Sequence, residues 1–373
     1  MLVEIHALQS FGPSNLNRDD TGNPKDTVFG GVRRLRISSQ AQKRPIRLSN
    51  HFREEIGTSA GIRTKTLLDV LTTALVQREI PTERASELAR AFVEKIAGLS
   101  KESALSSVLV YISPDEYNFI ADRLAAAAHA GIKEVSKVID DAVKELAKDK
   151  DRLTAPDLAL FGRMLANTPE LNVDAAAQVA HAISTHSGLT EFDYFTAVDD
   201  LAPKEQTGAG MIGTVAFGSA TYYRYARVDV DLLQTNLGAD AGLAQAAVMG
   251  FLRAFLYALP TGKQNTFAAH NLPDFVIGIV RPDKQGWSLA NAFETPVRPT
   301  RHGGYLEPSV KALVSHWAKM ERAYGLVDPI ATVILNIGEY SWEAPTGKAL
   351  SITQTISARD FLNAMASALN AEA

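Results

Sequence analysis

Ala220-Thr221-Tyr222-Tyr223-Arg224-Tyr225 decides how the chain is read, because aromatic and β-branched residues run through the surrounding Thr214 to Val230. Such composition marks a strand, and it follows a long tract whose apolar spacing is helical. Outward from it, Ala239 to Leu259 reads as a long apolar helix and Asp274 to Arg281 as another strand. Upstream, Ala176 to His186 carries a β-signal mixed with alanines that also suit a helix. At the start of the chain Leu2 to Gln9 reads as a strand, with Leu2, Glu4, His6 and Leu8 alternating against Val3, Ile5 and Ala7. The order strand, helix, helical insertion, two strands, helix, strand is a split βαββαβ unit. The expected fold class is therefore α+β, ferredoxin-like, a pattern that RNA-recognition modules share.

The intervening segments fill in this outline. Gly12 to Gly31 is rich in Pro, Gly and Asn and reads as a twenty-residue loop without regular structure, a length that is more often functional than incidental. Val32 to Ile37 is extended, with Arg34 and Arg36 on one side and Leu35 and Ile37 on the other. Ser38 or Ser39 then caps a helix running to about Glu55 and closed by Gly57. Pro45 inside it lacks a backbone donor, which predicts a kink or a late start. From about Arg63 to Leu171 helix follows helix: Thr66 to Glu79, Thr82 to Gly98, one opened by the capping box Ser113-Pro114-Asp115-Glu116 and ending at Gly131, and one from Lys133 to Lys150. They share no fixed period, so the tract is an insertion and not a repeat array. Helices near Pro308 to Tyr324 and Ser357 to Asn370 complete the chain.

Composition narrows the function classes. The 373 residues contain no cysteine, which removes disulfides, thiolate metal sites and cysteine nucleophiles together. No run of 18 apolar residues is present, which predicts no membrane span. Met1 to Gln9 lacks the basic and apolar regions of a secretory signal, so a cytoplasmic location is expected. The net charge of −4 argues against a uniformly basic nucleic-acid binder. Its distribution argues differently. Arg18 to Arg53 holds nine Lys and Arg against three acids, so a basic patch sits on an acidic remainder.

Few residues suggest catalysis. Gly208-Ala209-Gly210-Met211-Ile212-Gly213 matches G-x-G-x-x-G, but a polar loop precedes it and a β-pattern follows, so a mobile hairpin is the better reading than a dinucleotide site. Asp19-Asp20 could hold a divalent cation, although acids in such turns more often bind their own backbone. His181 and His186 have neither helical nor strand spacing and no third ligand, and His270 has no carboxylate partner by sequence. No metal, cofactor or catalytic set is expected. The basic segment is more informative. Gln40, Lys43, Arg44 and Arg47 recur at helical spacing, with Ser38 and Ser39 at the amino end of the same helix. An acidic protein surface could use that strip, but the long adjacent loop with Arg18 and Lys25 favours an extended polyanion.

Several blocks resemble the CasC family, which supplies the backbone subunit of the type I-E CRISPR Cascade complex. They are Ile5-His6-Ala7-Leu8, Pro13 through Asp20, Phe29 through Gln40, Gly162-Arg163-Met164, Ala180 through His186, Phe195 through Asp200, Phe267-Ala268-Ala269 and Asn291-Ala292-Phe293-Glu294. The resemblance runs in order over about residues 2 to 325. It implies an RRM-like palm (1–58 and 176–373), a helical fingers insertion (59–175) and a β-hairpin thumb (188–214). It further implies a non-catalytic, RAMP-type subunit whose copies stack head to tail along a CRISPR RNA guide, beside other Cascade subunits, and present the guide to target DNA in antiviral defence. Carried over by motif, Arg18, Ser38, Gln40, Lys43 and Arg47 would meet guide phosphates and Lys263 the backbone. Met164 would wedge near the bases, and Tyr194, Phe195 and Thr196 would lie near a displaced nucleotide. Pro45 departs from the helix-favouring residue expected there. The other readings of these residues are a metal-dependent ribonuclease using Asp19 or Asp20, and a filament protein that needs no nucleic acid.

Overall fold

The computed structural model describes residues 1–57, 60–100, 103–197, 211–325, 329–342 and 352–371. Its strands are β1 (Leu2–Ser14), β2 (Asp26–Phe29), β3 (Val32–Ile37), β4 (Ile62–Thr64), β5 (Val110–Ile112), β6 (Ala177–Val179), β7 (Ala182–Ser184), β8 (Glu191–Ala197), β9 (Met211–Asp229), β10 (Phe275–Arg281), β11 (Ala331–Asn336) and β12 (Ile352–Thr355). The first helix, α1, is Ser39–Leu48. Two compact units divide the chain. One comprises Met1–Ser49, Val179–Arg227 and Leu252–Ala373; the other comprises Asn50–Gln178 and Val228–Phe251.

The first unit is built on a large mixed sheet ordered β12-β11-β10-β1-β9-β7-β3-β2. β1 and β10 pair antiparallel from Leu2↔Arg281 to Leu8↔Phe275. Every residue of β10 is buried, as befits a strand covered on both faces. One face packs Leu8, Phe275, Ile277, Phe293 and Ile334 under Val310, Leu313 and Trp317 of the helix Leu306–Tyr324. On the helix Ala358–Asn370, Phe361 and Met365 press so closely on Gly278 that a Cβ there would lie 2.7 Å from the Met365 sulfur. A second cluster, Phe11, Leu16, Leu35, Ile37, Ala182 and Tyr222, underlies the basic segment.

Leu2 to Leu8 do not divide into an inner and an outer face: all are buried. Buried Glu4 and His6 must then be satisfied internally. Glu4 accepts from the Tyr225 hydroxyl and the Trp287 N–H, both at 2.7 Å. The Tyr223 hydroxyl lies 2.8 Å from His6 Nδ1 and accepts from the Leu289 N–H, which leaves its own proton for the imidazole. Burial pushes His6 down to about 3, so the ring is neutral.

Two expectations are corrected here. Gly12 to Gly31 is not structureless: β1 continues to Ser14, β2 begins at Asp26, and Arg18 bridges Pro24 between them. The loop's own side chains supply the bonds. Asn15 Nδ2 donates to the Gly22 and Ala216 carbonyls. The helix expected to run to Glu55 instead stops at Ser49, whose backbone is extended (φ −64°, ψ 137°), and a second helix covers Asn50–Ile56. Pro45 lies inside α1, and the interruption comes after it.

The second unit is helical, with β4 and β5 paired in a small sheet. Leu71, Leu75, Leu88, Phe92, Ile120, Leu124 and Val143 form its core. The capping box forms as expected, Ser113 Oγ accepting from Glu116 N–H and Glu116 Oε2 from Ser113 N–H. Arg163 adds a second bond to that carboxylate at 2.8 Å. Among the described residues, no helix is long and apolar enough to cross a membrane.

Candidate nucleic-acid interface

Residues from β1 through α1 form one connected scaffold. Asp19 Oδ1 accepts from Thr21 N–H, Thr21 Oγ1 and Asn23 N–H at 2.8–2.9 Å, closing a tight turn. The Thr21 hydroxyl and the turn's N–H groups hold this carboxyl below its usual range. Asp19 thus closes its own turn, as acids in such turns commonly do. Asn17 joins loop to helix: its Oδ1 accepts from Ser38 N–H at 2.8 Å and its carbonyl accepts from Lys25 N–H. Ser38 caps α1, its hydroxyl accepting from Ala41 N–H.

Helix α1 turns Gln42 and Ile46 inward. Gln42 bonds the Ala180 carbonyl and accepts from Arg224, which is itself buried against the Phe255 ring and pushed by burial down to about 9. Gln40 and Arg44 are exposed on the opposite side, while Lys43 and Arg47 are half-buried. Burial lowers the Lys43 ammonium's affinity for its proton.

A pocket of about 530 Å³ opens beside this helix. Leu16, Ala41, Pro45 and Pro260 line it with apolar surface, and Arg18, Arg44, Asp19 and Asp20 give it charge. The chain approaches itself so closely at Gly262 that a Cβ would collide with the Leu16 carbonyl, so glycine is required there. The next residue, Lys263, is half-buried and left-handed (φ 50°).

The expected site residues thus fall into groups. Arg18 and Arg44 share the pocket, Ser38 and Gln40 occupy the amino end of α1, and Lys263 follows the pocket's glycine. Lys25 sits instead beside Arg36 and His181, whose imidazole is held below its usual range by burial, Arg36 and Lys25 in that order. Met164, in the helical unit, is 85% exposed. β8 pairs antiparallel with β9, from Glu191↔Phe217 to Ala197↔Met211. Strand alternation separates the three expected contacts: Tyr194 and Thr196 share a face with Phe192 and Ile212, while Phe195 lies over Gly213 on the other. Val198 to Asp200 and Gly208 to Gly210 lie outside the described residues.

Arg34 belongs by charge to the basic patch but is fully buried, donating to the Ser184 and Phe293 carbonyls. His186 accepts from Thr221 N–H, bonds the Ser187 carbonyl and stacks on Tyr305 at 3.7 Å, so its ring is committed to packing. Arg36, which sequence spacing grouped with Arg34, instead reaches His181 at 2.9 Å.

Both units contain ion pairs, Arg33–Asp26, Arg281–Asp283 and Lys311–Glu307 among them in the first. In the helical unit Arg78, Lys95, Arg123 and Arg163 meet Asp122, Asp140, Glu145 and Glu116 at 2.6–2.8 Å. Among the described residues, no carboxylate pairs with Arg18, Lys25, Arg36, Arg44 or Lys263. Cations that their own fold leaves unneutralised are available to an external polyanion.

One chain of a solved CRISPR RNA-guided surveillance complex in a pre-nicking state is 33% identical to this chain, covering 99% of it and 100% of the solved chain with a TM-score of 0.84. A chain of another CRISPR RNA-guided surveillance complex is 28% identical, with 99% and 100% coverage and a TM-score of 0.73. No curated protein matches. The model of the CT1975-like protein family matches residues 3–360, nearly the whole length, and the chain belongs to that family.

Proposed function

We propose that this chain is the guide-binding backbone subunit of a Cascade surveillance complex of the type I-E, CasC kind. The observation that carries this is that no described carboxylate pairs with Arg18, Lys25, Arg36, Arg44 or Lys263, in a chain whose structural relatives come from CRISPR RNA-guided complexes. β1, α1, β7, β9, the helix Ala241–Tyr257 and β10 serve as an RRM-like palm. The neighbour order β10-β1-β9-β7 supports this, because it reads four-one-three-two in the order of a βαββαβ unit. The helical insertion, residues 59–175, acts as fingers and the β8–β9 hairpin as thumb.

A guide of any sequence must be accepted while its base edges stay free to pair with target DNA. Contacts therefore go to phosphate and sugar, as Arg18, Lys25, Ser38, Gln40, Lys43, Arg44, Arg47 and Lys263 would provide. One copy holds few phosphates and binds weakly. Copies stacked head to tail on one strand sum those contacts and bind cooperatively. The acidic remainder limits indiscriminate coating of RNA. The role is non-catalytic, with other Cascade subunits or the guide setting the length of the array.

Binding to a CRISPR-repeat RNA across a salt series, followed by light scattering, tests the proposal. Cooperative growth of particles that tolerates changes of spacer sequence is expected. Absence of binding at low salt overturns it. Filaments formed without RNA would favour the protein-only reading. Magnesium-dependent cleavage of complementary RNA that is lost in Asp19→Ala or Asp20→Ala would favour the ribonuclease.

A further inference from the structure

We infer that Arg36, held by His181 and flanked by Lys25, forms a second phosphodiester subsite of the guide track, separate from the Arg18–Arg44 pocket. This deepens the guide-binding reading and rests on it.

The register places the three residues together. β3 and β7 pair as Arg36↔Ile183 and Ile37↔Ala182, so the next step of the ladder sets His181 beside Ser38. Lys25 enters from the loop, its carbonyl accepting the Arg36 N–H at 2.8 Å. Three separate segments thus converge, each bringing a basic side chain. Their acid neighbour is taken: the Asp26 carboxylate pairs with Arg33 at 3.0 Å, and Arg36 Nε meets only the Asp26 carbonyl.

The chemistry of the Arg36–His181 contact sets its polarity. A guanidinium only donates, so His181 Nδ1 must accept at 2.9 Å and the ring is neutral with its proton on Nε2. Burial, Arg36 and Lys25 all favour that neutral form. His181 is exposed, so it can steady one side of the guanidinium while leaving Nη2 to donate. A carboxylate in place of His181 would neutralise the arginine; a neutral acceptor orients it and preserves its charge. That is the arrangement required to receive an anion. Arg36 is then the binding residue and His181 a positioning residue.

The test uses full-length protein and a CRISPR-repeat RNA across a salt series, with Lys43→Ala as a parallel variant. Arg36→Gln should weaken binding about tenfold, the size of one charge-assisted bond to phosphate, and lower the magnitude of the log–log salt slope by about 0.7. Arg36→Lys should restore the slope. His181→Ala should weaken binding, and His181→Asn, whose Oδ1 stands where Nδ1 was, should recover it. Because His181 is exposed, its variants remain informative if Arg36→Gln fails to fold. Unchanged affinity and slope in Arg36→Gln and His181→Ala, while Lys43→Ala loses both, would overturn the subsite and leave the guide-binding reading standing. Wild-type protein that does not bind would overturn that reading itself.

Discussion

Asn17 Oδ1 accepts the Ser38 backbone N–H at 2.8 Å, and through that single bond the loop carrying Arg18 is fastened to the amino end of the helix carrying Lys43, Arg44 and Arg47. Replacing Asn17 with Ala removes the acceptor and leaves a helix-terminal N–H without its partner. The expected cost is about 1 kcal/mol of stability. Guide affinity should fall by more than that loss of folding alone accounts for, because Arg18 is no longer held in place. Thermal unfolding and RNA titration on the same preparation separate the two effects.

Lys43 and Arg47 lie one turn apart on α1. Lys43→Ala and Arg47→Ala should each weaken RNA binding to a similar extent for every spacer tested. Each should also lower the magnitude of the salt slope by about 0.7 for a single-stranded guide. Filter binding over a range of salt concentrations measures both. An effect that varied with spacer sequence would identify base contacts instead.

The buried pair Arg163–Glu116 anchors the helical unit, with side chains 3% and 0% exposed. Burial raises the Glu116 carboxyl while Arg163 and the Ser113 groups pull it down. Glu116→Gln leaves the guanidinium without its counter-charge and weakens the capping box. About 3 kcal/mol of destabilisation is expected, read from urea unfolding.

His6 gives stability a pH dependence. Its folded value of about 3 lies below the ordinary 6.5, so between those limits the unfolded chain binds the extra proton. Stability from this residue is complete above pH 6.5 and falls as pH drops toward 3. At pH 5 the loss amounts to about 2 kcal/mol. Glu4, raised by burial, acts in the opposite direction above 4.5. Comparing wild type with His6→Asn, which keeps an acceptor for the Tyr223 hydroxyl, isolates the histidine. The variant should show a flatter decline in urea midpoint from pH 7 to 5.

Local signals in the chain identified most of the elements. Aromatic and β-branched residues at Ala220–Tyr225 announced β9, and Ser113 with Glu116 announced a helix start that forms with both reciprocal bonds. The basic run from Arg18 to Arg53 and the helical spacing of Gln40, Lys43, Arg44 and Arg47 were likewise legible, because charge and period are local properties. Burial was not. Glu4 and His6 look like the solvent face of an alternating strand, yet both are buried, since Tyr225 and Trp287 arrive from distant parts of the chain to satisfy them. Arg34 and Arg36 share one side of β3 and read alike, but carbonyls at Ser184 and Phe293 enclose the first while His181 orients the second. Asp19 belongs to the same class: residue type marks a turn acid, and the N–H groups that it accepts from are visible only once the turn has closed. Residue type and spacing report what a side chain could do. Whether it is buried, paired or left facing water depends on segments remote in sequence, and those meet only when the chain has folded.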